Sequence, residues 1–101
     1  MSAIKLIADS GATKAEWCLI NNGKKKIIFT QGISPYFLSP QEIENLLLKE
    51  FKPKIKVQVD EIYFFGTGLF DPENGKMIKK ILKQVKLPLT QNGSVVNLLI
   101  I

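Results

Sequence analysis

The hexapeptide Asp9-Ser10-Gly11-Ala12-Thr13-Lys14 brings together residue types that can grip a polyphosphate. Phosphate oxygens are held by backbone N–H groups, hydroxyls and cations, and backbone comes close only where side chains are small. Gly11 and Ala12 are small, Thr13 carries a hydroxyl and Lys14 an ammonium. Asp9 is the candidate metal residue, because a carboxylate can orient the waters that Mg²⁺ retains. The segment is not a Walker A loop: the Gly-x4-Gly-Lys-Ser/Thr spacing is absent and no helix follows. The same residues also suit an ordinary polar hairpin in which Asp9 and Ser10 cap the turn through their own backbone.

The elements that position this segment are short. AIKLIA (3–8) reads as a strand running into the Asp-Ser-Gly turn, and AEWCLI (15–20) as the strand that returns from it. Asn21-Asn22-Gly23 is a hairpin signal of the Asn-Gly type, with KIIFT (26–30) as the third strand. Ser39-Pro40-Gln41-Glu42 is a capping box with proline at the first helical position, followed by Ile43, Leu46, Leu47 and Phe51 at helical spacing. Lys52-Pro53 ends that helix, and the alternating Lys54–Val59 adds a short strand. Asp60-Glu61 then precede Ile62–Phe65, an apolar run bounded by Gly66-Thr67-Gly68 that suits a central strand. Asp71-Pro72-Glu73-Asn74 starts a second helix reaching about Val85, before Pro88. Thr90–Ser94 reads as a turn and Val95–Ile101 as the last strand. The expected order is βββαβαβ, an α/β domain.

Composition limits the chemistry. The 101 residues contain 14 lysines, 9 acidic residues, no arginine, no histidine and one cysteine. Zinc sites of the usual ligand sets and Ser-His-Asp or Cys-His catalysis are therefore excluded, which leaves hard, oxygen-bound ions. The longest apolar runs are too short to span a bilayer, MSAIKLIADSG has no signal-peptide core, and the single Cys18 fits a reducing compartment. The expectation is a cytoplasmic protein without a membrane partner. Residues 1–75 are charge-neutral and the whole +5 lies in 76–101. A lysine stripe on the second helix is a solvated face, and without arginine or interleaved aromatics nucleic acid is not an expected partner.

IKLIADSGATKAEWCLI resembles the first phosphate motif of the actin/hexokinase/heat-shock-protein ATPase superfamily. The likeness is to the BadF/BadG/BcrA/BcrD-type ATPases, and within them to N-acetylglucosamine kinase-like proteins. It continues through GISPYFLSPQEI and VDEIYFFGTGLFDPENGKMIKKIL, and spans residues 3–83. The resemblance implies a ribonuclease-H-like, actin-like N-terminal lobe: a mixed sheet of about five strands with helices packed on both faces. It implies ATP and Mg²⁺ as cofactors and an amino sugar or other small molecule as substrate. Asp9 would then lie near Mg²⁺, Gly11, Ala12 and Thr13 at the phosphates, and Lys14 as a compensating charge. The loop Gly32–Tyr36 would face the sugar through Ser34, although Pro35 stands where many relatives carry a small polar residue. Gly66, Thr67 and Gly68 would lie at the mouth of the cleft, and the two glycines equally suit a sharp exit from a strand.

Enzymes of that family are two-lobed, with a catalytic aspartate just past the next strand. This sequence has no acidic residue after Glu73. The expectation is a single lobe over 1–101, truncated and catalytically silent alone, with 87–101 as an altered end. The alternative is a lobe that assembles with itself or with a partner chain, through its exposed cleft face and C-terminal strand.

Overall fold

The structure, a computed structural model, describes residues 4–57, 59–66, 68–69 and 71–82, and the backbone of 83–84 and 89–100. The elements are β1 (Lys5–Ser10), β2 (Lys14–Asn21), β3 (Lys24–Gln31), α1 (Pro40–Leu46), β4 (Val59–Gly66), α2 (Pro72–Gln84) and β5 (Leu89–Ile100). They form an α/β fold on one mixed sheet of order β3-β2-β1-β4-β5. β1 to β3 are an antiparallel meander, and β4 joins β1 in parallel.

The Asn-Gly signal turns where expected. Asn22 and Gly23 have φ of 52° and 78°, the doubly left-handed geometry of a type I′ hairpin. The capping box also forms: the Ser39 hydroxyl accepts from the Glu42 N–H at 3.2 Å, and the Glu42 carboxylate accepts from the Ser39 N–H at 2.9 Å. That N–H, followed by the hydroxyl, holds the Glu42 carboxyl below its ordinary value.

Several boundaries differ from the sequence reading. β1 runs through Asp9 and Ser10, so the first turn is confined to Gly11–Thr13. Regular α-helix stops at Leu46, and Leu47–Phe51 form a π-helical turn in which the Lys52 N–H reaches the Leu47 carbonyl. Leu47 and Phe51 are both buried. Lys54–Val59 is not a strand: Lys52–Lys54 are a 3₁₀ turn and Ile55–Val57 are irregular. β4 instead begins at Val59 and includes both acids, because each has a partner. The Asp60 carboxylate accepts from the Ile4 N–H at 2.7 Å, and Glu61 lies 3.8 Å from the Lys5 ammonium. The backbone of β5 starts at Leu89, earlier than expected. The polar stretch Thr90–Ser94, expected as a turn, falls where the β4–β5 register shifts between Val59 and Glu61. Val85 and the 87–88 part of the proposed altered end lie outside the described residues.

Both helices pack on one face of the sheet, not on both faces. The order explains this. β3 is parallel to β4, so β3-α1-β4 and β4-α2-β5 are crossovers that advance in the same direction, and right-handed crossovers then fall on the same side. Ile43 and Leu46 of α1 and Ile78, Ile81 and Leu82 of α2 share one buried cluster with Leu6, Ala8, Trp17 and Phe64 of the sheet. Its centre is aromatic: Trp17 stacks on Phe51 at 4.2 Å and meets Phe64 edge-on at 5.8 Å. The Trp17 indole N–H donates to Thr30 Oγ1 at 3.0 Å, so its polar edge is satisfied in the core.

The opposite face carries three rows of side chains across β3, β2, β1 and β4. Register and alternation place Lys25, Ile20, Lys5 and Glu61 in one row, then Ile27, Cys18, Ile7 and Tyr63, then Phe29, Glu16, Asp9 and Phe65. Ile27 and Phe29 remain 45% and 49% exposed.

Candidate functional site

β1 and β4 are parallel, so their carboxyl ends, Ser10 and Gly66, are register partners at the same end of the sheet. β3 is parallel to both and ends there too, at Gln31 opposite Lys14. In open α/β sheets this end, where the connections diverge, is where ligands bind. Three segments singled out from the sequence meet here: the turn after β1, the loop after β3 and the glycine turn after β4.

The first turn is closed by the Gly11 N–H donating to the Lys14 carbonyl at 2.9 Å, and Gly11, Ala12, Thr13 and Lys14 are all exposed. A Cβ on Gly11 would meet nothing nearer than the Lys14 carbonyl oxygen, at 3.6 Å. The packing constraint lies at Gly32. A Cβ there would overlap the Gly11 carbonyl oxygen and come within 2.6 Å of the Ala12 carbonyl. Backbone of the loop after β3 is thus pressed directly against backbone of the turn. Ser10 fixes the same contact from below: its Oγ accepts from the Ile33 N–H at 2.8 Å and donates to the Ile33 carbonyl at 3.2 Å, both buried.

The third segment joins through Tyr36. Gly68, at φ 84°, has the Tyr36 ring so close that a Cβ would lie 2.9 Å from Cε2. The Gly68 carbonyl accepts from the Asn74 side-chain amide at 3.0 Å, which ties this turn to the start of α2. There the Asp71 carboxylate caps the helix by accepting from the Glu73 N–H at 3.0 Å. Gly66 is buried under the ring of its own strand neighbour Phe64. Thr67 lies outside the described residues.

The remaining candidates are placed as follows. Asp9 is exposed on the open face of the sheet, directly across from Glu16. Two carboxylates side by side suit a hard cation, since Mg²⁺ takes one or two of them and fills its remaining positions with water and phosphate oxygens. Among the described residues, no third Asp, Glu, His or Cys joins a group that could hold a metal. The Lys14 ammonium rests 4.6 Å above the Phe29 ring, a cation–π contact it must leave to reach an anion over the turn. Ser34 is fully buried, and its Oγ has no hydrogen-bond partner among the described residues. Its carbonyl accepts from the N–H groups of Phe37 and Leu38, which curls the loop back on itself. Ser34 therefore does not present its hydroxyl to solvent.

Five residues contribute at this end in ways the sequence reading did not assign. Ser10 and Gly32 shape the turn, Glu16 neighbours Asp9, and the loop exposes two aromatic rings, Tyr36 at 56% and Phe37 at 73%. Glu16 lies opposite Asp9 because four residues, Gly11–Lys14, separate the paired Ser10 and Ala15. The role of Gly32 had no sequence signal, because it depends on a contact between segments twenty residues apart.

No protein-family model matches the chain, and no curated protein matches it. Among the described residues, no helix is long and apolar enough to cross a membrane.

Proposed function

We propose that this chain is the N-terminal lobe of an ATP-dependent sugar kinase of the N-acetylglucosamine kinase-like kind, with a ribonuclease-H-like sheet. The observation that carries the reading is the convergence of Gly11–Lys14, Gly32–Tyr36 and the two glycines Gly66 and Gly68 at one sheet end, held backbone to backbone at Gly32. The strand order and the two same-side crossovers support the same fold family.

In this reading the exposed N–H groups of Ala12 and Thr13 and the Thr13 hydroxyl receive the phosphates of ATP. Lys14 swings off Phe29 to balance their charge. Asp9, with Glu16 beside it, orients the waters of Mg²⁺, whose charge offsets that of the phosphates. Tyr36 and Phe37 offer flat apolar surfaces on the sugar side, where rings stack well. In this reading a second lobe supplies the base that deprotonates a sugar hydroxyl, since Asp9 and Glu16 serve Mg²⁺. Alone, this lobe binds nucleotide weakly and transfers no phosphoryl group, since orientation and transition-state stabilisation both need the closed cleft. A thermal-shift titration with Mg-ATP tests the reading. A rise in Tm that Asp9→Ala abolishes is expected, and robust sugar phosphorylation by the chain alone would overturn it.

A second reading, a lobe that works by assembling with itself, is favoured by the uncovered sheet face with Ile27 and Phe29 half exposed.

A further inference from the structure

We propose that the cleft between the β2–β3 hairpin and the segment leading into β4 binds a compact multivalent anion, a polyphosphate or a polycarboxylate. The site is independent of the nucleotide reading and lies at the other end of β3 from Gln31 and the Gly11–Lys14 turn. Lys24, Lys25 and Lys26 line it from β3, and Lys54 and Lys56 from the segment before β4, around a volume of about 210 Å³. Leu19 and Val57 give it an apolar floor. Lys26 is the register partner of Leu19, and Lys24 of Asn21, so both lysines leave β3 on the helix-bearing face. The two segments are tied together there: the Lys26 ammonium donates to the Lys54 carbonyl at 3.0 Å.

No carboxylate lines this cleft. The acids that flank Lys54 and Lys56 in the chain are engaged elsewhere: Glu50 accepts from the Gln31 N–H and Asp60 from the Ile4 N–H. Among the described residues, none of the five lysines has a salt-bridge partner. Lysines on an edge strand protect it from pairing with other chains, which accounts for Lys24–Lys26. It does not account for Lys54 and Lys56, brought to them from across the β3–β4 crossover. A concave surface of one sign focuses its field on the counter-ion that enters it. A ligand with several negative charges on few atoms engages most of these ammonium groups at once and relieves their mutual repulsion. Lysine suits it, as a point charge that takes phosphate or carboxylate oxygens without a planar fork. No aromatic ring lines the cleft, so a nucleic-acid base has nothing to stack on. Mg-ATP competes poorly, because Mg²⁺ neutralises part of the triphosphate charge.

The test is a ¹H–¹⁵N NMR titration of the 101-residue chain in Mg²⁺-free buffer at constant ionic strength, with tripolyphosphate in one arm and citrate in the other. Saturable shifts of the Lys24–Lys26 and Lys54–Val57 amides are expected, and the tighter arm identifies phosphate or carboxylate as the preferred group. Lys24→Gln/Lys56→Gln, at two exposed positions of the cleft, should weaken binding about tenfold or more. Lys79→Gln/Lys80→Gln removes the same charge from exposed positions of α2 and should leave the affinity unchanged. Circular dichroism checks that each variant is folded. Cleft amides that show no saturable shift with either anion overturn the proposal. So does an affinity that the cleft variant leaves intact, or that the α2 variant lowers equally, which would be a response to net charge alone. Shifts confined to Gly11–Lys14 overturn it as well, while leaving the nucleotide reading standing.

Discussion

At one end of β2 the chain turns through Asn22 and Gly23, and at the other through Gly11, Ala12 and Thr13. Both turns carry a glycine, for different physical reasons. Gly23 sits at φ 78° with nothing within 4 Å of a would-be Cβ, so the requirement there is conformational and local. Gly11 has no left-handed φ and room for a Cβ. Its turn is shaped from outside, by Gly32 pressing on its carbonyls and Ser10 pinning Ile33 beneath. A hairpin turn built by its own dihedrals needs no neighbours. A turn whose backbone is left exposed is held by a second segment, and its own glycine carries neither a packing nor a conformational task.

The largest effect that would sharpen this contrast is expected at Gly32. Gly32→Ala forces backbone apart and should destabilise by about 1–3 kcal/mol in urea unfolding, with any Mg-ATP thermal shift lost as well. A neutral outcome would break the comparison. Gly23→Ala should lose about 1 kcal/mol through left-handed strain alone, leaving ligand response intact, and Gly23→Asn should recover most of it. Gly11→Ala is the sharpest contrast. Stability should change by less than about 0.5 kcal/mol, while the Mg-ATP response weakens because a methyl group stands where phosphate approaches.

The smallest effect is pH-dependent and comes from the far end of the loop that carries Gly32. The Glu42 carboxyl, lowered by the Ser39 N–H and hydroxyl, binds protons less readily folded than unfolded. Its contribution is therefore present above the unfolded value of about 4.3 and is lost as pH falls through the lower folded value. Amide exchange in α1 should quicken in that acid range, with Asn22–Lys24 unaffected. Glu42→Gln should flatten the dependence.

What was legible in the sequence follows the same division. Asn22-Gly23 and Ser39–Glu42 could be read because each motif carries its own partners within four residues. The buried faces of α1 and α2 could be read from spacing. Asp60 and Glu61 look like loop residues until Ile4 and Lys5 are seen to receive them, so β4 starts earlier than its apolar run. The π-helical turn at Leu47–Phe51 carries no sequence motif of its own, and Phe51 at its end stacks on Trp17 of a different element. Ser34 reads as a polar loop residue, yet the Ser10–Ile33 bonds and its own curled loop bury it.

Under the proposed function the turn at Gly11–Lys14, and not the hairpin at Asn22–Lys24, is the nucleotide-binding end of the sheet. The most direct measurement is a ¹H–¹⁵N NMR titration of the chain with Mg-ATP. Progressive shifts of the Gly11, Ala12, Thr13 and Lys14 amides are expected, with Asn22, Gly23 and Lys24 unmoved. Amides that stay still at Gly11–Lys14, or that move instead at the lysine-rich hairpin Lys24–Lys26, would contradict it.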